Sequence, residues 1–597
     1  MCGLAGYLYW SKQPARDSVE RMSEMLIHRG PDDHDAVHLK DISLAHRRLS
    51  IIDLSEKAKQ PMRSADGRYY IVYNGEVYNF QELKKDLINA GYVFRNSSDT
   101  EVVLSAYIHW GADCLNKFNG MFALAIWDNL DRELFLARDR FGKKPLYYHL
   151  DPLGRMTFAS ELTALMENKD ISKIISPEGL NCYLALGYIL SPMTIYKDVY
   201  KLEPATYMRI SQQGAKVEKR KYWHYADCFR NKTSDREEEI DHKNLYLLEK
   251  AVKRRMISDV PVGAFLSGGL DSSSIVALMK KYHSGPLHTF SMGFDESSYN
   301  ELADADRAAA WIGTDHHNHI CKVESGREMI DSAIDAYDEP FADNSLIPMI
   351  EVSRIAAAHV KVVLSGDGAD EMFAGYITYK ADNYYRYAKM LPISLKKQLV
   401  GIFSRMNWLE KGEKLSWPYK AKQFFHGSLY SPEHAHYLWR IIFHPEERVA
   451  LMGERYRDLI FDSDPFRIFQ KYYEEVKGLH WLDKNLYVDG MTWLPDDILV
   501  KVDRATMRSS IEARSPYLDI DLVNYAASLS PRMKMKGFET KYCLRKALKS
   551  ILPRFILEKP KSGFNAPTGA WIGYDGVDEF KAFTKYVLAK KGLSCLN

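Results

Sequence analysis

The sequence predicts an α+β unit followed by an α/β unit built on a parallel sheet, and three observations predict it. Its 597 residues exceed what one hydrophobic core organises, so two or more domains are expected. Strand-like apolar residues from Met121 to Asp128 and again from Glu133 to Arg138 give a hairpin pattern turning near Asn129 to Asp131. Farther on, the short apolar runs Val260 to Leu266, Leu287 to Met292 and Val360 to Leu364 alternate with helix-like stretches and end in loops. Strands that alternate with helices pair in parallel, and such sheets bind ligands beyond the carboxyl ends of their strands.

Composition narrows the class. Lys plus Arg, 81, nearly balance Asp plus Glu, 79, so charge gives no case for nucleic acid or an anionic membrane. The longest wholly apolar run, Met121 to Trp127, holds about seven residues, against the roughly 20 that span a bilayer. No basic region followed by an apolar core opens the chain, so no signal peptide is expected. The seven cysteines are scattered without C-x-x-C or metal-like spacing, which favours unpaired thiols in a reducing cytoplasm.

Taken in order, the chain begins Met1-Cys2-Gly3. Loss of Met1 would place a thiol and a free α-amine on one residue. That amine, with a pKa near 8, can serve as general base for its own side chain. His28-Arg29-Gly30-Pro31-Asp32, Arg48-Leu49-Ser50-Ile51-Ile52-Asp53, Tyr73-Asn74-Gly75-Glu76 and Ser98-Asp99-Thr100-Glu101 follow, the last opening a helix-like run from Asp99 to Trp110. Asn74 and the Gly75 N–H suit an oxyanion hole, which needs neutral donors held by a turn. Arg48 can fork onto a carboxylate while Glu76 and Asp99 take an ammonium, the charges that a free amino acid requires.

These strings, Met-Cys-Gly, HRGPD, RLSIID, NGE and the SDTE aspartate, resemble the glutaminase domain of class II glutamine amidotransferases. The resemblance implies an N-terminal nucleophile fold, an αββα sandwich. By it Cys2 is the nucleophile, Asn74 and Gly75 form the oxyanion hole, and Arg48, Ile52, Glu76 and Asp99 hold glutamine. HRGPD would brace the site, and the diagnostic Arg138-to-Tyr147 string RDRFGKKPLY would make sheet-edge and interdomain contacts.

From residue 211 to 239 the composition turns polar, the expected linker between a domain over 1–210 and another over 240–597. Leu245, Leu248, Val252 and Met256 then share one helical face. Next comes Leu266-Ser267-Gly268-Gly269-Leu270-Asp271-Ser272-Ser273, between an apolar strand and a helix. Its glycines would let backbone approach phosphate, its serines add donors, and a helix N-terminus favours an anion. Asp271 would repel phosphate unless Mg²⁺ lay between them. A lone SGG would be a helix-capping turn; the whole string resembles the pyrophosphate loop of ATP pyrophosphatases. Ser365-Gly366-Asp367-Gly368-Ala369-Asp370-Glu371 ends the third strand and points to the same place, so Asp271 and Asp370 could share Mg²⁺. The region from about Tyr379 to Leu482 is aromatic and basic and reads as helical packing.

Together with Lys501 to Ala505, Ile511 to Asp519 and Lys541, these loops resemble the synthetase domain of the glutamine-dependent asparagine synthetase family, in the same order from Met1 to about Trp571. That implies ATP as co-substrate, an aspartyl-adenylate, and ammonia from the first domain displacing AMP. By motif Leu266, Met292, Ser365 and Gly366 hold nucleotide, Asp367 acts in forming the intermediate, and Lys541 stabilises charge on the α-phosphate. Family analogy would make the enzyme a homodimer. The SGDGAD loop is a conservative departure from the family's loop. The long aromatic region and the Lys561-Ser562-Gly563-Phe564-Asn565-Ala566-Pro567 string resemble a longer bacterial subgroup, some of whose members amidate other carboxylates, including uronic-acid sugars. Aspartate is the default acceptor and such a carboxylate the alternative. A sensor that binds glutamine and ATP without turnover is a third reading, opposed by intact Cys2, Asp271 and Lys541.

Overall fold

A computed structural model describes residues 2–10, 16–296, 299–321, 326–405, 417–561, 563, 565–574 and 578–593. Met1, whose removal the sequence suggests, and Ser562 and Phe564 lie outside them. The first domain is built from β1 (Gly3–Leu8), β2 (Asp33–His38), β3 (Ile42–Arg48), β4 (Met62–Arg63), β5 (Tyr69–Val77) and β6 (Gly120–Asp128). It continues with β7 (Glu133–Arg138), β8 (Tyr147–Leu150), β9 (Met156–Ala159), β10 (Tyr200–Lys201), β11 (Thr206–Ser211) and β12 (Lys216–Lys221). They form two six-stranded sheets, ordered β10-β8-β9-β1-β3-β2 and β12-β11-β7-β6-β5-β4. The expected hairpin is β6–β7, with Asp128 opposite Glu133.

Alternation along these strands dictates the layering. Ala123, Ala125 and Trp127 of β6 pack with Val72 of β5, and with Leu4, Leu8, Leu44 and Phe158 of the other sheet, between the two sheets. The intervening Phe122, Leu124 and Ile126 face outward against Leu83, Val102, Val103 and Ala106 of the helices Phe80–Asn89 and Asp99–Trp110. Across the sandwich, Ala5, Tyr7 and Ala45 meet Val19 and Met22 of the helix Arg16–Glu24. Both faces of each sheet are apolar because both are covered, which gives the expected αββα order.

The second domain carries β13 (Val262–Phe265), β14 (His288–Phe294), β15 (Asp315–Cys321), β16 (Val362–Leu364) and β17 (Glu512–Arg514) in one sheet, ordered β15-β14-β13-β16-β17. Each neighbouring pair is parallel. The stretch 377–475 is helical wherever it forms regular structure among the described residues. The polar stretch 211–239 is more ordered than a linker. Within it β12 pairs along β11, from Thr206 opposite Lys221 to Ser211 opposite Lys216, and the helix Tyr225–Arg230 follows. An edge strand reading KVEKRK keeps a polar surface, so it lacks the apolar alternation that marks buried strands. No helix among the described residues is long and apolar enough to cross a membrane.

Candidate active site

Cys2 is buried at the start of β1, which β3 and β9 hold on either side. Its main-chain nitrogen lies 3.0 Å from Asn74 Oδ1, in the middle of β5. The other half of that amide, Asn74 Nδ2, is buried and makes no hydrogen bond among the described residues. A neutral donor fixed through its own oxygen, with its N–H groups left over, suits a developing oxyanion. Gly75 follows because a Cβ there would stand 2.2 Å from Met121 O of β6. Burial raises the Cys2 thiol above its ordinary range, so a nucleophilic role would need a base.

Arg48, Ile52, Gly75, Glu76 and Asp99 line one cleft with Cys2. Arg48 donates from Nη1 to Ser55 O at 3.0 Å and from Nη2 to Ile52 O and Asp53 O, leaving other N–H groups for a carboxylate. Asp99 Oδ2 accepts from Tyr73 Oη at 2.7 Å and Val77 N at 3.0 Å, and burial pushes its carboxyl up to about 6. Burial first, then Asp99, holds Glu76 well above the usual carboxylate range. Among the described residues Glu76 Oε1 is buried without a hydrogen bond. Two acids raised by burial, Glu76 further by Asp99 and Asp99 by Glu512, could seat an ammonium group.

The HRGPD string braces this cleft. Arg29, fully buried, donates from Nε to Cys2 O at 3.2 Å and pairs with Glu161 at 2.7 Å and Asp503 at 2.9 Å. Asp503 belongs to the helix Leu499–Arg508 of the second domain and also pairs with Lys144 at 3.0 Å. Lys143 donates to Ser515 Oγ at 2.5 Å. The RDRFGKK string thus makes the interdomain contacts expected of it.

The second cluster lies at the carboxyl end of the parallel sheet. From β13 the chain leads outward to β14 and β15, then resumes on the other side of β13 at β16 and β17. The loops after β13 and β16 flank that reversal, where open α/β sheets hold their ligands. Leu266, Ser267, Asp271, Ser272, Met292, Ser365, Gly366, Asp367 and Asp370 line one cavity of about 540 Å³. Gly269 and Lys541 line a neighbouring cleft that also reaches Asp271. Ser267 N donates to Ser272 Oγ at 3.1 Å, and Ser365 Oγ donates to Asp367 Oδ2 at 2.6 Å. Ser273 and Gly268 line neither space. Ser273 is fully buried, and Gly268, at φ +66°, owes its lack of a side chain to Asp304 C, 2.5 Å from a would-be Cβ.

Lys541 Nζ stands 2.6 Å from Asp271 Oδ2 and 2.6 Å from Asp370 Oδ1, while Lys561 Nζ is 2.6 Å from Asp370 Oδ2. Burial opposes the Asp370 charge, but Lys541 and Lys561 override it and hold the carboxyl below the usual range. Burial, with Asp370 beside it, lifts Glu371 to about 7, so the second loop does not carry the full charge its sequence suggests. Lys541 is no surface lysine. It is buried in the left-handed region, φ 56°, immediately before the helix Tyr542–Ala547. Backbone strain at a non-glycine residue persists where surrounding contacts impose it.

Several residues on these sites were not assigned from the sequence. Arg514 Nη2 reaches Glu76 Oε2 at 3.5 Å and its Nε lies 2.5 Å from Glu512 Oε1, so β17 floors the glutaminase cleft. Gly375 admits the Asp370–Lys541 pair, because a Cβ there would lie 1.9 Å from Asp370 Oδ1. Tyr376, Arg440, Trp493 and Asp497 line the large cavity. Asp497 comes from a π-helical turn, Leu494–Ile498. Pro495, which lacks an N–H, was the available signal for that interruption.

A glutaminase-type cleft around an N-terminal cysteine, joined to a nucleotide-type crevice with paired carboxylates, defines a glutamine amidotransferase coupled to an ATP-dependent synthetase. The asparagine synthase family model matches residues 244–588 and the glutamine amidotransferase domain model residues 1–223. Asparagine synthetase [glutamine-hydrolyzing] 1 of Bacillus subtilis is 34% identical, over 96% of this chain and 88% of its own. A putative asparagine synthetase [glutamine-hydrolyzing] 2 of Methanocaldococcus jannaschii is 36% identical, over 85% of this chain and 98% of its own. Amidase chyE of Penicillium rubens is 28% identical, over 96% of this chain and 90% of its own. The chain belongs to the glutamine-hydrolysing asparagine synthetase family, and it is an enzyme of ATP- and glutamine-dependent amidation.

Proposed function

We propose that the acceptor is aspartate, converted to asparagine through an aspartyl-adenylate with ammonia released from glutamine at Cys2. The Cys2 sulfur attacks the side-chain amide carbon of glutamine while the α-amine of the same residue takes the thiol proton. Asn74 Nδ2 and the Gly75 N–H hold the oxyanion, the C–N bond breaks, and the proton leaves with ammonia. Water then releases glutamate from the thioester. Arg48 takes the glutamine carboxylate, Glu76 and Asp99 its ammonium, and Ile52 lies beside the substrate.

In the second domain the aspartate side-chain carboxylate attacks the α-phosphorus of ATP and pyrophosphate departs. Leu266, Met292, Ser365 and Gly366 border the nucleotide. Ser267, Gly269 and Ser272 border its phosphates, Asp367 acts in forming the adenylate, and Lys541 offsets α-phosphate charge. Asp271 and Asp370 both approach the Lys541 ammonium to 2.6 Å, so these two hard oxygen donors can also converge on one small cation. Mg²⁺ fits that donor set and would neutralise the departing pyrophosphate. Ammonia attacks the acyl carbon and AMP leaves. We assign the glutaminase to residues 1–221 and the synthetase to 240–597. A cytoplasmic setting suits the six unpaired cysteines described, and family analogy supports a homodimer.

The observation that carries this reading is the meeting of two sequence-distant acidic loops on one lysine. A second reading, the same chemistry on a larger carboxylate such as a uronic-acid sugar, is favoured by the 540 Å³ cavity and its Tyr376 and Trp493 wall. Pyrophosphate and AMP release, measured across a panel of carboxylates with glutamine or ammonia, tests both. Asparagine formed with AMP and pyrophosphate is the expected result. ADP and phosphate as products would overturn the loop assignment, and turnover confined to other carboxylates would overturn aspartate.

A further inference from the structure

The opposite end of the parallel sheet carries a second group of chemistry-bearing side chains. His288 opens β14 and Asp315 opens β15, where they stand directly opposite each other, with His317 next along the same face of β15. His359 comes from the turn ahead of β16. Gly263 of β13, between β14 and β16, makes the meeting sterically feasible. A Cβ there would lie 2.8 Å from His288 O and 2.9 Å from the Phe290 ring.

One nitrogen from each of the three imidazoles lies within 4.8 Å of the other two. His288 Nδ1 is 3.1 Å from His317 Nε2 and 3.1 Å from Asp315 Oδ2, which is 3.7 Å from His317 Nε2. Zinc bonds of about 2.0–2.1 Å in a tetrahedron put neighbouring ligand atoms about 3.4 Å apart, and these separations bracket that edge. A proton can join two of these atoms, whereas a metal ion can join them all.

We propose that His288, His317 and His359 form a binding site for a divalent ion of the zinc class, with Asp315, which approaches His288 and His317, able to swing in as fourth ligand. Imidazole with a carboxylate suits Zn²⁺ and its first-row neighbours better than Mg²⁺ or Ca²⁺, which take oxygen ligands. His359 must turn to bind. Its ring is stacked on His317 with centroids 4.0 Å apart, and a metal lies in the plane of each imidazole it ligates. His359 is exposed, and His288 and His317 are partly so, which leaves room for that rotation and a path for the ion. The site would clamp the amino ends of β14 and β15 to the turn before β16, across the sheet from the nucleotide crevice.

The test is Co²⁺ titration of chelator-treated full-length enzyme in excess Mg²⁺, so that oxygen-only sites are filled, with visible absorption as the readout. A single equivalent giving tetrahedral d–d bands, displaced by Zn²⁺, is expected. His359→Ala should weaken binding by at least about tenfold, and His288→Ala with His359→Ala should abolish it. His359 is exposed, so the metal-free thermal midpoint of His359→Ala should match wild type and separate ligand loss from misfolding. Absence of stoichiometric binding, an octahedral spectrum, or bands that persist in the double variant would overturn the site.

Discussion

Asn74 offers the sharpest test of the glutaminase cleft, because its two amide atoms have separable duties. Oδ1 meets Cys2 N at 3.0 Å, while Nδ2 is buried without a partner among the described residues. Removing one oxyanion donor costs about 2.7–4 kcal/mol, or roughly 10²–10³ in kcat. Asn74→Ala also removes the acceptor for Cys2 N, a hydrogen bond worth about 0.5–1.5 kcal/mol. Together these lower glutaminase kcat by roughly 10²–10⁴. Asn74→Asp keeps an oxygen near Cys2 N and loses the donor, so it should still fall by at least about 10². KM for glutamine should change little, since an oxyanion exists only beyond the ground state. The assay is steady-state glutamate release, with ammonia-dependent pyrophosphate release as internal control in the other domain. Near-normal kcat in Asn74→Asp, or a defect confined to KM, would refute the donor role.

Three further outcomes follow from the same geometry. Cys2→Ala should abolish glutamine-dependent synthesis and spare synthesis from added ammonia; loss of both in folded protein, seen by parallel assays, would contradict separate sites. Asp271→Asn and Asp370→Asn should each stop adenylation, read by pyrophosphate exchange with the acid substrate, while glutamate release continues. Near-normal exchange in both would place the metal elsewhere. The buried His436 lies 2.8 Å from Asp382 and 3.1 Å from Asp489; burial disfavours its charge, but these carboxylates raise it from 6.5 to about 9. A histidine raised on folding contributes stability fully present below pH 6.5 and lost as pH climbs through 9, about 3 kcal/mol for such a shift. Urea unfolding of wild type should show that decline between these pH values, and His436→Gln should flatten it; equal slopes would remove His436 as its source.

The sequence by itself determined what depends on near neighbours. The unbroken apolar run of β6, Met121 to Trp127, specifies a strand covered on both faces, since successive side chains point to opposite sides and all of them are apolar. Cys2, the Asn74-Gly75 pair and the SGGLDSS and SGDGADE loops are legible as candidates because a thiol, an amide turn and glycine-flanked carboxylates are local features. The polar β12 escaped that reading because it turns no apolar face to a core. What joins distant segments was decided by tertiary structure. Sheet order β14-β13-β16 places the two acidic loops side by side, and only then do Asp271, Asp370 and Lys541 meet. β17 carries Arg514 to Glu76, so a synthetase strand completes the glutaminase cleft. The same packing lifts Glu371 to about 7 while it depresses Asp370, a division between adjacent acids set by burial and by which lysines reach each one. Neither the burial of a charge nor its partner is encoded at the residue's own position; both are properties of what the rest of the chain brings against it.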